Sequence, residues 1–96
     1  MSNVYIPLLL HLLYPVPSVV LRQAQNHVVI VTFSERVVNF TEVGITTDGT
    51  IADFTGNGFE FCVIFENATY AHVRSGVAVS ENNQPNTESN RLTLNA

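Results

Sequence analysis

The sequence predicts an all-β protein, an antiparallel β-sandwich of about seven short strands. Its 96 residues include 14 Val, 5 Ile and 9 Thr, and these stiff β-branched side chains suit a pleated, half-buried surface better than a helix. From Val19 onward apolar residues recur with a period of two, as they do in strands that bury one face. Turn signals follow one another at intervals of about 8–12 residues, which is typical of a small sandwich.

The first two strands are predicted before residue 35. Residues 19–21 form a short strand, residues 23–27 form a polar turn, and residues 27–34 give the strongest strand signal in the chain. Nearly every position of this second strand is apolar. We therefore expect either a central strand covered on both faces or a strand with one face shielded by the N-terminal segment.

Three further strands are separated by glycine-containing turns. Residues 43–47 and 50–54 flank Asp48-Gly49, a dipeptide that readily supplies positive φ. Gly56-Asn57-Gly58 forms the next turn, and residues 59–65 then alternate between two faces. The apolar face of this last strand carries Phe59, Phe61, Val63 and Phe65.

The end of the chain predicts two strands with a polar loop between them. Residues 69–79 form a strand that is broken near Ser75-Gly76, residues 80–89 form the loop, and residues 91–94 form the last short strand. No segment after residue 18 keeps the apolar period of a helix. The predicted core contains Val19, Leu21, Val29, Val31, Phe33, Val37, Phe40, Ile45, Ile51, Phe54, Phe59, Phe61, Val63, Val73 and Leu92.

Charge and composition exclude several classes of function. A chain of this length supports one hydrophobic core and one domain. Its net charge is −4, all four cations are Arg, and there is no Lys, so a surface that binds nucleic acid is not expected. The single Cys excludes an internal disulfide, and no Cys/His cluster has the spacing of a zinc site.

No pattern of residues predicts catalysis. Cys62 has no neighbouring base that would activate it as a nucleophile, so we interpret it as a small apolar side chain. Asp48 and Asp53 could act as paired carboxylates, but both lie in turn contexts, where Asp usually bonds its own backbone. His11, His27 and His72 are too far apart in the sequence to indicate a metal site. The protein is therefore predicted not to be an enzyme.

Residues 1–16 differ from the module at 17–96. The segment has no charged side chain, and five of the eight Leu lie between Leu8 and Leu13. This apolar run is too short to span a bilayer, which needs about 20 residues. We interpret the segment as a linker, a degenerate export segment or the tail of a preceding module. Its apolar surface also predicts a homodimer formed through it.

Four pieces of the module occur in a distinctive order: Val-Thr-Phe-Ser-Glu at 31–35, Asp-Gly-Thr-Ile at 48–51, Gly-Asn-Gly at 56–58 and Asn-Asn-Gln-Pro-Asn-Thr-Glu-Ser-Asn at 82–90. In this order and spacing they resemble the bacterial Ig-like domains that are repeated in tandem in large surface adhesins and biofilm-associated proteins. The resemblance covers roughly residues 17–94. It implies an Ig-like β-sandwich with Greek-key connections.

The same resemblance implies a non-catalytic function. Such domains are structural or adhesion modules of exported or cell-surface bacterial proteins, where they act as spacers or protein-interaction domains. The expected location is therefore extracellular or on the bacterial cell surface. The expected partners are neighbouring Ig-like modules or other surface proteins, with a glycan as a further candidate.

The loop at residues 81–90 supports an alternative, a module that binds carbohydrate or Ca²⁺. Ca²⁺ takes about six to eight oxygen ligands, preferably with several carboxylates among them. The similar bacterial domains commonly carry an Asp and a Gly near the start of this loop, whereas this chain has Glu81 and Asn82 there. The candidate ligands are Glu81, Asn83 and Asn86. The competing interpretation of the loop is a solvated connection without a ligand, and no other cofactor is predicted.

Overall fold

The computed structural model describes residues 14–95, which form seven strands and one short 3₁₀ helix. The predictions made for residues 1–13 lie outside this range. Within residues 14–95 no helix is both long enough and apolar enough to cross a membrane. The elements are β1 (Val19–Gln25), β2 (Val28–Phe33), the 3₁₀ helix (Glu42–Gly44), β3 (Ile45–Thr47), β4 (Thr50–Gly56), β5 (Glu60–Glu66), β6 (Tyr70–Val73) and β7 (Leu92–Thr93).

The strands form two antiparallel sheets. One sheet has the order β1-β2-β5-β4 and the other has the order β3-β6-β7. Lettered from A to G along the chain, these orders are ABED and CFG, the arrangement of a constant-type Ig sandwich. The predicted seven-strand antiparallel sandwich is confirmed.

The central position of β2 is also confirmed. It pairs with β1 on one side and with β5 on the other. Val29 and Val31 are completely buried between the sheets, whereas Val28 and Ile30 are half-buried on the outer face. The strand is apolar on nearly every position because it lies in the interior of its sheet and both of its faces are at least partly covered.

The core contains a cluster of aromatic side chains. The ring of Phe40 lies 5.0 Å from the rings of Phe33 and Phe61, measured between centroids, in edge-on arrangements. Phe54 stacks on Phe61 at 5.5 Å. This cluster fills the end of the sandwich where β1 and β5 begin and β2 and β4 end. The buried hydrophobic core as a whole comprises Val19, Leu21, Val29, Val31, Phe33, Val37, Phe40, Ile45, Phe61, Val63, Phe65, Ala71, Val73 and Ala78.

Part of the core prediction was wrong. Phe59 is 46% exposed, because it lies in the turn before β5 rather than in the strand. Ile51, Phe54 and Leu92 are only partly buried against the core. The small residues Ala71 and Ala78 belong to the core although they were not predicted there, as does Phe65.

Several predicted boundaries were also wrong; for example, residues 42–44, partly predicted as strand, form the 3₁₀ helix before β3. β1 continues to Gln25, so the turn that follows it shrinks to two residues, with His27 at φ 65°. The predicted break at Ser75-Gly76 is present, with Gly76 at φ 71°, but β6 already ends at Val73 and does not resume as a strand after the break. Beyond this turn, residues 79 and 80 make only isolated bridges to Pro85 and Val37.

Candidate functional site

The loop at residues 81–90 is folded back on itself. The Ser80 N–H donates to the carbonyl of Gln84, and the Asn83 N–H donates to the carbonyl of Ser80, both at 2.9 Å. Asn83 adopts φ 63°, a left-handed conformation that Asn tolerates better than most residues. Hydrogen bonds within the chain therefore define the backbone of the loop.

Asn86 holds this loop to the end of β6. Only 3% of the residue is exposed. Its Oδ1 accepts the N–H groups of Val77 and Ala78, both at 2.9 Å, and its Nδ2 donates to the carbonyls of Arg74 at 3.0 Å and Thr87 at 2.8 Å. One side chain thus satisfies four backbone groups. Its oxygen already accepts two hydrogen bonds, so binding a cation would require breaking them.

The other two candidate ligands lie on the surface. Glu81 and Asn83 are exposed, and Oε2 of Glu81 lies 3.7 Å from Nε of Arg36. Within residues 14–95 no group of three or more His, Cys, Asp or Glu side chains is arranged to hold a metal ion. The Ca²⁺ site stays a prediction. Of its three candidate ligands, Glu81 and Asn83 are exposed to solvent, and Asn86 is not.

Asp48 ties the β3–β4 turn to the β5–β6 turn. Its Oδ1 accepts the N–H of Thr69 at 2.8 Å, and its Oδ2 accepts the hydroxyl of Thr69 at 2.5 Å. These hydrogen bonds to Thr69, the side-chain bond foremost, hold the pKa of the Asp48 carboxyl below its ordinary value. The prediction was that Asp48 bonds its own backbone; the carboxylate instead bonds the backbone and the hydroxyl of Thr69 in a different turn. Asp53 is exposed within β4 rather than in a turn, which corrects its placement.

The remaining side chains with reactive groups are dispersed. Cys62 is half-buried on the outer face of the four-stranded sheet, where it pairs with Ile30 and Thr55 across the strands. Nε2 of His72 lies 2.7 Å from Oε2 of Glu88 on the outer face of the other sheet. Neither arrangement joins a nucleophile, a base and an orienting group in the way that a catalytic site requires.

Two side-chain amides join the first strand to the last part of the chain. Asn90 Oδ1 accepts the N–H of Leu21 at 2.9 Å, and its Nδ2 donates to the Leu21 carbonyl at 3.1 Å. Gln23 bonds Asn95 in the same way: Nε2 donates to the carbonyl at 2.7 Å, and Oε1 accepts the N–H at 2.9 Å. We call these four hydrogen bonds the terminal clasp. Sequence reasoning missed it, because no local pattern marks partners 69 and 72 residues apart.

The terminal clasp also reveals the path of the chain. Leu21 faces Asn90 and Gln23 faces Asn95, so β1 and the last segment run parallel, although β1 and β7 belong to different sheets. Ser18, just before β1, accepts the N–H of Ser34 at the end of β2. Asn95 lies instead beside the far half of β1. The chain therefore enters the sandwich at one end and leaves it at the other.

No family model, curated protein or solved structure matches the chain. The resemblance to bacterial Ig-like domains accordingly stays a prediction. The strand order supports the fold that this resemblance implies, but a fold of this kind serves many functions.

Proposed function

We propose that this chain is a non-catalytic structural module of an exported or cell-surface bacterial protein, where it acts as a spacer that also transmits load. The observation that carries the proposal is the terminal clasp between parallel first and last segments. Neighbouring Ig-like modules or other surface proteins are the proposed partners. In such a row, each module adds its full length because its chain enters and leaves at opposite ends.

The geometry of the terminal clasp determines how a pulling force acts on it. A force applied to the two ends of the module pulls β1 and the last segment in opposite directions along their common axis. The hydrogen bonds at Leu21 and Asn95 lie across that axis, so they are loaded in shear and resist together. A hairpin pulled apart from its open end would instead lose its bonds one at a time.

The alternative, a loop that binds carbohydrate or Ca²⁺, has less support. Asn86, one of the three candidate ligands, uses its oxygen for the N–H groups of Val77 and Ala78. Glu81 and Asn83 are exposed on a loop whose backbone is already held by hydrogen bonds. The loop is better explained as a closed structural connection, and the spacer is the preferred function.

Force spectroscopy on single modules held between two handle domains tests the spacer proposal. We expect Asn90→Ala and Gln23→Ala to lower the unfolding force when the module is pulled from its ends, because each removes two bonds of the terminal clasp. Asn82→Ala is the matched control, since its exposed side-chain amide makes no hydrogen bond within residues 14–95. It should leave the force unchanged.

A second comparison separates resistance to force from ordinary stability. Val73→Ala shortens a completely buried side chain that makes none of the bonds of the terminal clasp, and such truncations lower the free energy of unfolding by about 1–3 kcal/mol. If the terminal clasp bears load, Asn90→Ala reduces the unfolding force more than Val73→Ala does at equal loss of stability. An unfolding force that follows stability alone in all variants would overturn the proposal.

A further inference from the structure

The outer face of the β3-β6-β7 sheet carries charged and aromatic side chains along β6. Ala71 and Val73 are completely buried in the core, so Tyr70, His72 and the following Arg74 lie on the opposite, outward face. Arg91 and Glu88 reach the same face from the segment before β7, where they contact Tyr70 and His72. We call these five residues the cationic face.

Both guanidinium groups of the cationic face are held in place. The Arg91 guanidinium carbon lies 3.8 Å from the centroid of the Tyr70 ring, in a cation–π contact. Arg74 donates to the Thr46 hydroxyl at 3.0 Å and to the Val43 carbonyl at 2.8 Å. Arg91 donates no hydrogen bond to another residue within 14–95, and Arg74 keeps further N–H donors. Donors that are already oriented lose less conformational entropy when they bind an acceptor.

The charge of this face differs from that of the rest of the molecule. The chain carries a net charge of −4 and has only four cationic side chains, two of which lie here. Glu88, the carboxylate of the face, is bonded to His72 at 2.7 Å. On the outer face of the other sheet a single Arg22 stands among three exposed carboxylates, which belong to Asp53, Glu60 and Glu66. Asp48 lies at its edge, with Oδ1 3.4 Å from the backbone nitrogen of Tyr70 and both oxygens bonded to Thr69. The cationic face therefore suits an anionic partner better than the outer face of the other sheet does.

We propose that the cationic face binds an extended acidic segment of polypeptide. Arg91 lies on the ring of Tyr70, and Arg74, the residue after β6, is four positions beyond Tyr70, a backbone distance of about 13 Å in an extended chain. An extended peptide presents side chains on one face at every second position, so carboxylates four positions apart match this distance. Guanidinium groups pair with carboxylates through two parallel hydrogen bonds. The residue midway between the two acids faces Glu88 and His72 and must be neutral, since a third carboxylate would be repelled.

This inference does not rest on the spacer function. NMR titration of the full chain tests it, using a synthetic peptide whose only charged side chains are the two glutamates of a Glu-Thr-Asn-Thr-Glu segment. We expect the NMR chemical shifts of Tyr70, His72 and Arg91 to change on addition of the peptide, and the affinity for the peptide to fall as salt is added. Arg91→Gln should weaken binding roughly two- to five-fold, the range for an exposed ion pair. Arg22→Gln makes the same charge change on the opposite sheet and should have little effect.

Two further peptides test whether binding depends on the spacing and on the charge of the glutamates. A peptide of the same composition with adjacent glutamates, Glu-Glu-Thr-Asn-Thr, should bind more weakly because its carboxylates cannot reach both guanidinium groups. A peptide with Gln in place of both Glu should not bind. Circular dichroism melting of Arg91→Gln and Arg74→Gln separates lost binding from lost folding; Arg91 donates no hydrogen bond to another residue within 14–95, so its variant is expected to stay folded.

Three outcomes would overturn the proposal. Absence of any shift changes with the spaced peptide excludes this partner. Equal weakening by Arg22→Gln and Arg91→Gln shows that attraction to the chain as a whole, and not this face, causes binding. Tighter binding of an acidic polysaccharide such as polygalacturonate than of the spaced peptide, with the same dependence on Arg91, shows that the face recognises an acidic glycan instead.

Discussion

Side-chain amides replace backbone partners at several points in this small sandwich. Asn57 Oδ1 accepts the N–H groups of Phe59 and Glu60, and Asn39 Oδ1 accepts that of Val79. Asn86 and Asn90 each bond both N–H and carbonyl groups of the backbone. The abundance of Asn, ten of 96 residues, therefore reflects the satisfaction of backbone groups where strands are short as well as the need for turns.

Asn86→Ala tests the most deeply buried of these amides. The substitution leaves the N–H groups of Val77 and Ala78 and the carbonyls of Arg74 and Thr87 without their partner. Unsatisfied buried groups cost about 1–3 kcal/mol each, less where water can enter. We expect the free energy of unfolding to fall by roughly 2–4 kcal/mol, measured by urea denaturation. Asn82→Ala, in the same loop but exposed, should change it by less than about 0.5 kcal/mol.

Asp48 predicts a dependence of stability on acid pH. The hydrogen bonds from Thr69 hold the pKa of the folded carboxyl below its ordinary value of 3.8. Because the unfolded chain binds this proton more readily, the contribution of Asp48 to stability is complete above the ordinary pKa and is lost as pH falls through the lower, folded pKa. As the pH falls below 3.8, the melting temperature of the wild type should therefore drop by more than that of Asp48→Asn.

The comparison with Asp48→Asn isolates this carboxyl from the others that titrate at low pH. Asn can still accept the N–H of Thr69, but it cannot accept both Thr69 hydrogen bonds with two oxygens. Melting temperatures of both proteins, followed by circular dichroism from neutral pH downward, should differ by a constant amount until the pH approaches 3.8 and converge below it. A constant difference at all pH values would contradict the assignment.

Among the elements, the strands were predictable where a long run alternates. β2 and β5 fall within one or two residues of their predicted limits, because their buried residues, among them Val29, Val31 and Val63, recur with a period of two. The predicted break at Ser75-Gly76 is present, but the predicted continuation to residue 79 was wrong. Val77 and Val79 keep the apolar pattern, while Asn86 binds the backbone of that segment outside the sheet. Alternation in the sequence shows which residues are apolar, but it does not show which groups form hydrogen bonds with their backbone.

Gly56 at the end of β4 sets how closely this strand approaches β5. A Cβ at Gly56 would overlap the ring of Phe61, which lies in the aromatic cluster of the core. The ring cannot move freely because Phe33, Phe40 and Phe54 surround it. Overpacking of this kind costs about 1–3 kcal/mol or somewhat more. We expect Gly56→Ala to lower the free energy of unfolding by about 3 kcal/mol, measured by denaturant titration.

Gly76→Ala gives the matching control for backbone conformation. Gly76 has φ 71°, and a Cβ there meets no atom within 4 Å. Gly76→Ala is therefore destabilised only by the left-handed backbone conformation that Ala must adopt, which costs about 1–2 kcal/mol. The loss for Gly56→Ala should thus exceed the loss for Gly76→Ala, and combining Gly56→Ala with Phe61→Leu should restore part of it. Equal losses in the two single variants would show that the approach of β4 to β5 is not limited by Phe61.

At the scale of the whole molecule, the sequence predicts the architecture and leaves its surfaces undetermined. Strand number, sandwich and most of the core follow from the periodicity of one chain. The terminal clasp and the cationic face do not, because they join Leu21 to Asn90 and Tyr70 to Arg91 across different parts of the fold. The polar composition of the loop at 81–90 predicts ligand-binding side chains, whereas its Asn86 satisfies backbone groups.

The response to calcium distinguishes the spacer from the ligand-binding alternative for the molecule as a whole. A ligand that binds the native state raises its melting temperature in proportion to the free energy of binding. A chain of net charge −4 is also stabilised slightly by any cation that reduces self-repulsion, so Mg²⁺ at the same concentration and NaCl at the same ionic strength are the controls. Because the Asn86 oxygen is already bonded to two N–H groups, we expect millimolar Ca²⁺ to change the melting temperature no more than Mg²⁺ does. A rise specific to Ca²⁺ that disappears in Glu81→Gln would instead establish a site in the loop.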